Sequence, residues 1–330
     1  MTTDRLQLWE QLKLEGLASG GLGAAPDSSP WYVSLMLGVA AWVSALLALL
    51  ASVVLLHFSV GEQFGLMAVL WTGSGIALLH AARTAGAFVA QLGLVAVLAG
   101  EGAAIAFFAL QTEALQPTLL FSVILLLALL PLLPSATARV LNTLGACTCW
   151  VLLVSWALLG EPRDWRDAQT PGLGLALLVW ALCWLPVLGA ALAIVANETQ
   201  WMARSAAPLL RALLIGLLVA LALATPLSNP LAGLLIWQGG AISDGSRSWL
   251  ALWPLLSLFT ALIAAGLAFH QRSRSLLAVC LFGVLLHVGH FYLQLGVGLL
   301  VKSLVMLLVG AGLLLAARYG RRPEITEARA

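Results

Sequence analysis

The stretch VSLMLGVAAWVSALLALLASVVLLH, residues 33–57, runs for 25 positions without an Asp, Glu, Lys or Arg. An α-helix rises about 1.5 Å per residue, so a run of this length reaches across the roughly 30 Å hydrocarbon core of a bilayer. A soluble core helix would carry a polar face, and this stretch offers none.

The rest of the chain repeats the pattern. Residues AVILMFWYC make up 62% of the 330 positions and DEKR only 9%, against about a quarter charged in soluble domains. A chain this poor in polar groups cannot cover its own core in water, so its apolar side chains must face lipid. Nine further apolar segments follow the first, at about 63–81, 87–110, 117–134, 139–159, 172–195, 208–226, 249–269, 275–292 and 295–317. The fold expected is all-α, a polytopic transmembrane bundle of about ten spans. It divides into a polar N-terminal segment (1–30), a ten-helix membrane domain (31–318) and a tail (319–330). Between Leu227 and Trp249 the short run Leu231 to Trp237 is too brief to span and is expected to be re-entrant or interfacial. The ninth and tenth segments, joined by a few residues, are expected to form a tight antiparallel pair.

Residues 1–30 carry Asp4, Glu10, Lys13, Glu15 and Asp27. They lack the apolar core and cleavage site of a signal peptide, so the first span is expected to stay as an uncleaved anchor. Leu6, Trp9, Leu12 and Leu17 suggest a short amphipathic helix against the membrane surface.

Basic residues set the orientation. With the N-terminus in the cytoplasm, twelve fall on the inner side: Arg5, Lys13, Arg83, Arg139, Arg204, Arg211, Arg272, Arg274, Arg318, Arg321, Arg322 and Arg329. The outer side receives three, Arg163, Arg166 and Arg247. This bias predicts cytoplasmic N- and C-termini. Trp31, Trp71, Trp165, Trp201, Trp237 and Trp249 sit near span ends, where an amphipathic ring prefers the headgroup region. Trp42, Trp150, Trp180 and Trp184 lie deeper, as packing residues. Pro186 is the candidate for a kink. The net charge of +2, with scattered basic residues, argues against nucleic acid as a partner. Cys147, Cys149, Cys183 and Cys280 all lie in apolar runs and read as small core residues without disulfides.

Ionisable groups at membrane depth cost about 3 kcal/mol on insertion scales, so each needs a partner or a watery cavity. Glu101 lies in the third span, within Ala99-Gly100-Glu101-Gly102-Ala103, where small residues let another helix approach. Lys302 lies in the tenth. His287 and His290 share a face of the ninth. Counted from the span ends, all four fall in the outer half of the bilayer. They form a candidate polar cluster with Tyr292 and Ser303, in which Glu101 and Lys302 neutralise each other. Three readings stay open: a pair that fixes helix register, a proton relay or small-molecule site, or no contact, with Lys302 snorkelling to the interface. Gln91, Asn142 and Thr143 sit in the inner halves of their spans and are expected to bond across helices. The sequon at Asn197 falls on the predicted cytoplasmic side and is set aside.

No HExxH, GxSxG, Walker A or GxGxxG motif occurs, so neither a catalytic residue nor a metal site is assigned and no cofactor is expected. Ten spans permit a five-plus-five inverted repeat, but the halves show no convincing similarity.

Ser29-Pro30-Trp31-Tyr32-Val33 leads into the first span. Gln91-Leu92-Gly93-Leu94 precedes Leu98-Ala99-Gly100-Glu101 in the third. Phe291-Tyr292 is followed by Leu299-Leu300-Val301-Lys302-Ser303, then Gly310 and Arg318. In these stretches the chain resembles a family of bacterial inner-membrane proteins classed only as a domain of unknown function. That family is related to a membrane protein family named for its GDYxxLxY motif. The resemblance covers nearly the whole chain, strongest at the two ends and weak from about 160 to 250. It implies a multi-pass protein of the bacterial inner membrane with no established activity, and a second multi-pass membrane protein as candidate partner. Glu101 stands where the family more often carries glutamine, which implies a hydrogen-bonding role rather than an obligatory carboxylate. Lys302-Ser303 fits the family pattern. A structural or assembly role is the leading expectation, with a transporter or small-molecule binder as the alternative.

Overall fold

A computed structural model describes residues 31–55, 60–160, 173–202, 207–223 and 253–294, with a few single positions or pairs elsewhere. The helices are α1 (Trp31–Leu55), α2 (Val60–Ala85), α3 (Ala87–Thr112), α4 (Leu115–Leu129), α5 (Ala136–Leu159), α6 (Leu173–Ala196), a short α7 (Glu198–Met202), α8 (Ala207–Ala222), α9 (Trp253–His270) and α10 (Arg274–Gln294). Among the described residues there is no strand. Among the described residues, four helical stretches are long and apolar enough to cross a membrane: Phe64–Ala82, Ala87–Thr112, Ala136–Leu159 and Leu177–Ala196. The amphipathic segment within 1–30, the loop at 161–172, the re-entrant stretch at 227–249, the tenth segment and the tail lie outside the described residues, apart from isolated helical positions.

α2 and α3 form the most extensive contact in the molecule. One residue joins them, Gly86, at φ 93°, a backbone conformation that a side chain would strain. Small residues then let the two backbones close up. A Cβ on Gly75 would stand 2.6 Å from the Val97 backbone nitrogen, and one on Gly93 3.0 Å from that of Leu79. A Cβ on Gly100 would run into the backbone of Thr72. Gly102, by contrast, faces open space. Close approach of backbones supplies the dispersion contacts that hold helices together where lipid removes the hydrophobic drive.

α4 departs from the hydropathy reading. The apolar run continues to residue 134, but the helix stops at Leu129. Pro131 has no N–H to return to the helix, so the chain leaves through a turn with Leu132 and Leu133 bonding back to the Leu129 carbonyl. Arg139, one turn into α5, donates from Nε to the Leu130 carbonyl at 3.2 Å and satisfies one of the acceptors that the helix end exposes. At 15 residues α4 is about 22 Å long, while the 26-residue α3 reaches about 39 Å. The α4–α5 turn is therefore recessed relative to the α2–α3 turn. Leu133 accordingly packs with Leu79, Leu94 and Val97, well inside the ends of α2 and α3.

The second half is organised around α8. It packs against α5, α6, α9 and α10, and most of its residues from Ala212 to Ala222 are buried. Trp184, Val179 and Cys183 of α6, Val151 of α5 and Cys280 of α10 complete this core. All four cysteines are free and three are buried, as small apolar side chains would be. Pro186 lies within α6, which continues as helix on both sides of it. The pair expected of the ninth and tenth segments falls partly outside the described residues; α9 and α10 pack as neighbours across the turn at Gln271–Ser273.

The α2–α3 seam makes a paired prediction. Gly100→Ala should destabilise the purified protein by about 1–3 kcal/mol through forced separation of the two helices, whereas Gly102→Ala should be close to neutral. Thermal unfolding of both variants in detergent reads the contrast.

Candidate functional site

Glu101 is the one acidic side chain in the body of α3, and it is 3% exposed. Gly100, its neighbour, is pressed against α2, so α3 cannot move away on that side. The carboxylate turns towards α5, where Asn142 Nδ2 donates to its Oε1 at 2.6 Å. Asn142 is itself 1% exposed. Its other polar atom, Oδ1, is buried and has no hydrogen-bond partner among the described residues.

Depth counted separately from each span end places Glu101 in the outer half and Asn142 in the inner half. The structure puts them at one level. Glu101 lies fourteen residues beyond Ala87, and Asn142 only six beyond Ala136. The difference, eight residues or about 12 Å of helix, is taken up by the recess of the α4–α5 turn. Asn142 does bond across helices, as expected. Thr143 does not: its hydroxyl donates to the Arg139 carbonyl one turn back at 2.8 Å. Its methyl side faces Gly216 of α8, where a Cβ would come within 2.8 Å.

His287 is fully buried, and its Nε2 lies 3.2 Å from the Ala222 carbonyl oxygen. Ala222 is the last residue of α8, where carbonyls have no acceptor role within the helix left to fill. A ring nitrogen facing a carbonyl must carry the proton, so the contact fixes the Nε2–H tautomer. Gly283, one turn earlier on α10, brings the two helices together at the same carbonyl. His287 thus caps a helix end, within a further interaction set of its own.

Most of the remaining cluster members lie outside the described residues. His290 and Tyr292 belong to α10, but their side chains lie outside the described residues, as does all of Lys302. Ser303 is helical and exposed. The structure therefore brings Glu101 together with Asn142 and His287 with α8, while the expected Glu101–Lys302 pair lies outside what it describes. Among the described residues no three His, Cys, Asp or Glu side chains gather as a metal-binding group.

Asn142 is the site residue that the cluster reading missed. The signal was in the sequence: Pro131 and Pro134 end the fourth helix early and shift α5 along α3. Counting every span from one common plane hid it.

Apolar helices of spanning length, closely packed through small residues and carrying a few partnered buried polar groups, define an all-helical membrane protein. Residues 30–251 match the family described as Domain of unknown function (DUF4401), and the chain belongs to that family. The match includes residues 160–250, where the sequence resemblance was weakest, and stops before the stretch around Lys302. No curated protein and no solved structure matches the chain.

Two substitutions test the site. Asn142→Leu leaves a buried carboxylate without its donor and should cost about 1–3 kcal/mol of stability. Glu101→Gln keeps an acceptor for Asn142 Nδ2 and adds an amide that can donate to the orphaned Oδ1, so its melting temperature should match or exceed that of the parent protein.

Proposed function

We propose that the chain is a ten-span protein of the bacterial inner membrane, with both termini in the cytoplasm, that serves as a structural or assembly partner for another multi-pass membrane protein. The observation that carries this reading is the closed state of the Glu101 site. Its carboxylate is 3% exposed and already holds a short hydrogen bond from Asn142. A group that binds or passes a solute needs an approach from water. A group that locks one helix against another needs a partner and burial, and this one has both. The resemblance to relatives of the GDYxxLxY-motif family supplies the partner class: another multi-pass inner-membrane protein.

The remaining cluster belongs to the same reading. Lys302, arriving from the tenth span beside His290 and Tyr292, would extend the register lock to the C-terminal helix by facing Glu101. The twelve-to-three distribution of basic residues supports the orientation.

A second reading rests on one atom. Asn142 Oδ1 is a buried acceptor without a donor among the described residues, next to a carboxylate. A water molecule or the N–H or O–H of a small polar solute is the natural occupant of such a position. On this reading the protein is a transporter or small-molecule binder.

The two readings separate on Lys302→Met and on copurification. For a structural partner, mild-detergent purification of the full chain from its native membrane yields a stoichiometric multi-pass companion, and Lys302→Met lowers the protein yield. For a transporter, the chain purifies alone and Lys302→Met gives normal yield with lost flux. A reporter fused after Ala330 should be active in the cytoplasm; activity on the opposite face would refute the ten-span orientation.

A further inference from the structure

At the end of the bundle that carries Arg139, Arg272 and Arg274, a cavity of about 630 Å³ opens between α6, α7 and α8. Its volume lies in the range of small-molecule sites, roughly 300–1,000 Å³. One wall is apolar, formed by Ile194 and Val195 of α6 with Leu214 and Ile215 of α8. The rim is polar. Arg211 projects there from the second turn of α8, and Glu198 opens α7 on the other side. Trp201, half-buried, lies one helical turn beyond Glu198.

The two charges are in different circumstances. Glu198 Oε2 accepts a hydrogen bond from Gln271 Nε2 at 3.1 Å, which fixes the carboxylate at the cavity edge. A carboxylate has about four acceptor sites, so most of its capacity remains. Arg211 makes no hydrogen bond or ion pair with any described residue, and five guanidinium donors are left for a ligand. A ligand matched to this rim carries both an anion and a cation. A ligand matched to the wall carries hydrocarbon. The planar fork of the Arg211 guanidinium suits phosphate as the anion.

We propose that this cavity holds a phosphoethanolamine headgroup, with the phosphate on the Arg211 guanidinium and the ammonium on the Glu198 carboxylate, and that the molecule is a bilayer phospholipid whose acyl chains follow the Ile194–Leu214–Ile215 wall. The same headgroup exists as a soluble compound, and the apolar wall favours the lipid. A glycerol headgroup would leave Glu198 without a counter-charge. A choline headgroup has no N–H to donate to it.

Thermal unfolding of the full-length protein in detergent, with added lipid, tests this. Phosphatidylethanolamine should raise the unfolding midpoint more than phosphatidylglycerol or phosphatidylcholine at equal concentration. Arg211→Gln should weaken the apparent affinity for phosphatidylethanolamine about tenfold, the size expected for a lost charge-assisted hydrogen bond. Glu198→Gln should remove the preference over phosphatidylglycerol while leaving a response to both. Arg211→Lys, which keeps the charge, should retain most of the response and separates ligand loss from misfolding. Equal responses to all three lipids, or variants that respond like the parent, would overturn the headgroup site. A shift from soluble O-phosphoethanolamine as large as that from the lipid would overturn the bilayer source.

Discussion

A carboxylate removed from water must find a donor, and in this protein Glu101 finds Asn142. The bond is short, both residues are almost fully buried, and they belong to helices separated in sequence by α4. Much of the arrangement of the first half follows from that meeting. α3 is pinned to α2 on its glycine side, so the carboxylate faces away from the seam towards α5. α5 then has to present its second turn at the middle of α3. It can do so because α4 is short and the α4–α5 turn is recessed from the level of the α2–α3 turn. The apolar contacts of Leu133 with Leu94 and Val97 hold the turn at that level.

The second half solves a similar problem with different groups. α8 is only 16 residues long, and its C-terminal end, at Ala220–Ala222, lies buried among other helices. A helix end buried in apolar surroundings leaves carbonyls unsatisfied, at a cost that exceeds most single packing contacts. His287 meets that need at Ala222, and Gly283 makes room for it. At the opposite end of α8, Arg211 lines a cavity. One short central helix therefore links a capped, closed end to an open, charged one.

The helices were readable from hydropathy, since each described segment begins within a few residues of its expected start. In lipid the backbone must satisfy itself, so an apolar run is nearly synonymous with a helix. What hydropathy could not weigh was the stop at Leu129, because Leu132 and Leu133 continue the apolar run while Pro131 ends the helix. That local error propagated to the site. Glu101 and Asn142 were both recognised as costly polar residues, yet a common starting plane for all spans put them in opposite halves of the bilayer. Small residues around Glu101 did signal a close approach, but only Gly100 makes it, and towards α2 rather than towards the carboxylate's partner. The charged rim at Glu198 and Arg211 carries no distinctive sequence signal, because charges at span ends are ordinary in membrane proteins. Only the fold shows that these two line one cavity.

The central claim is that Glu101 and Asn142 are energetically coupled across the α3–α5 seam. A double-mutant cycle of Glu101→Leu, Asn142→Leu and the combined variant, read by reversible unfolding in mixed micelles, measures this directly. Each single change should destabilise, the double variant should be less destabilised than the sum, and the coupling should be about 1–2 kcal/mol, near the upper end found for polar contacts between membrane helices. Additive effects, with no coupling beyond error, would contradict it.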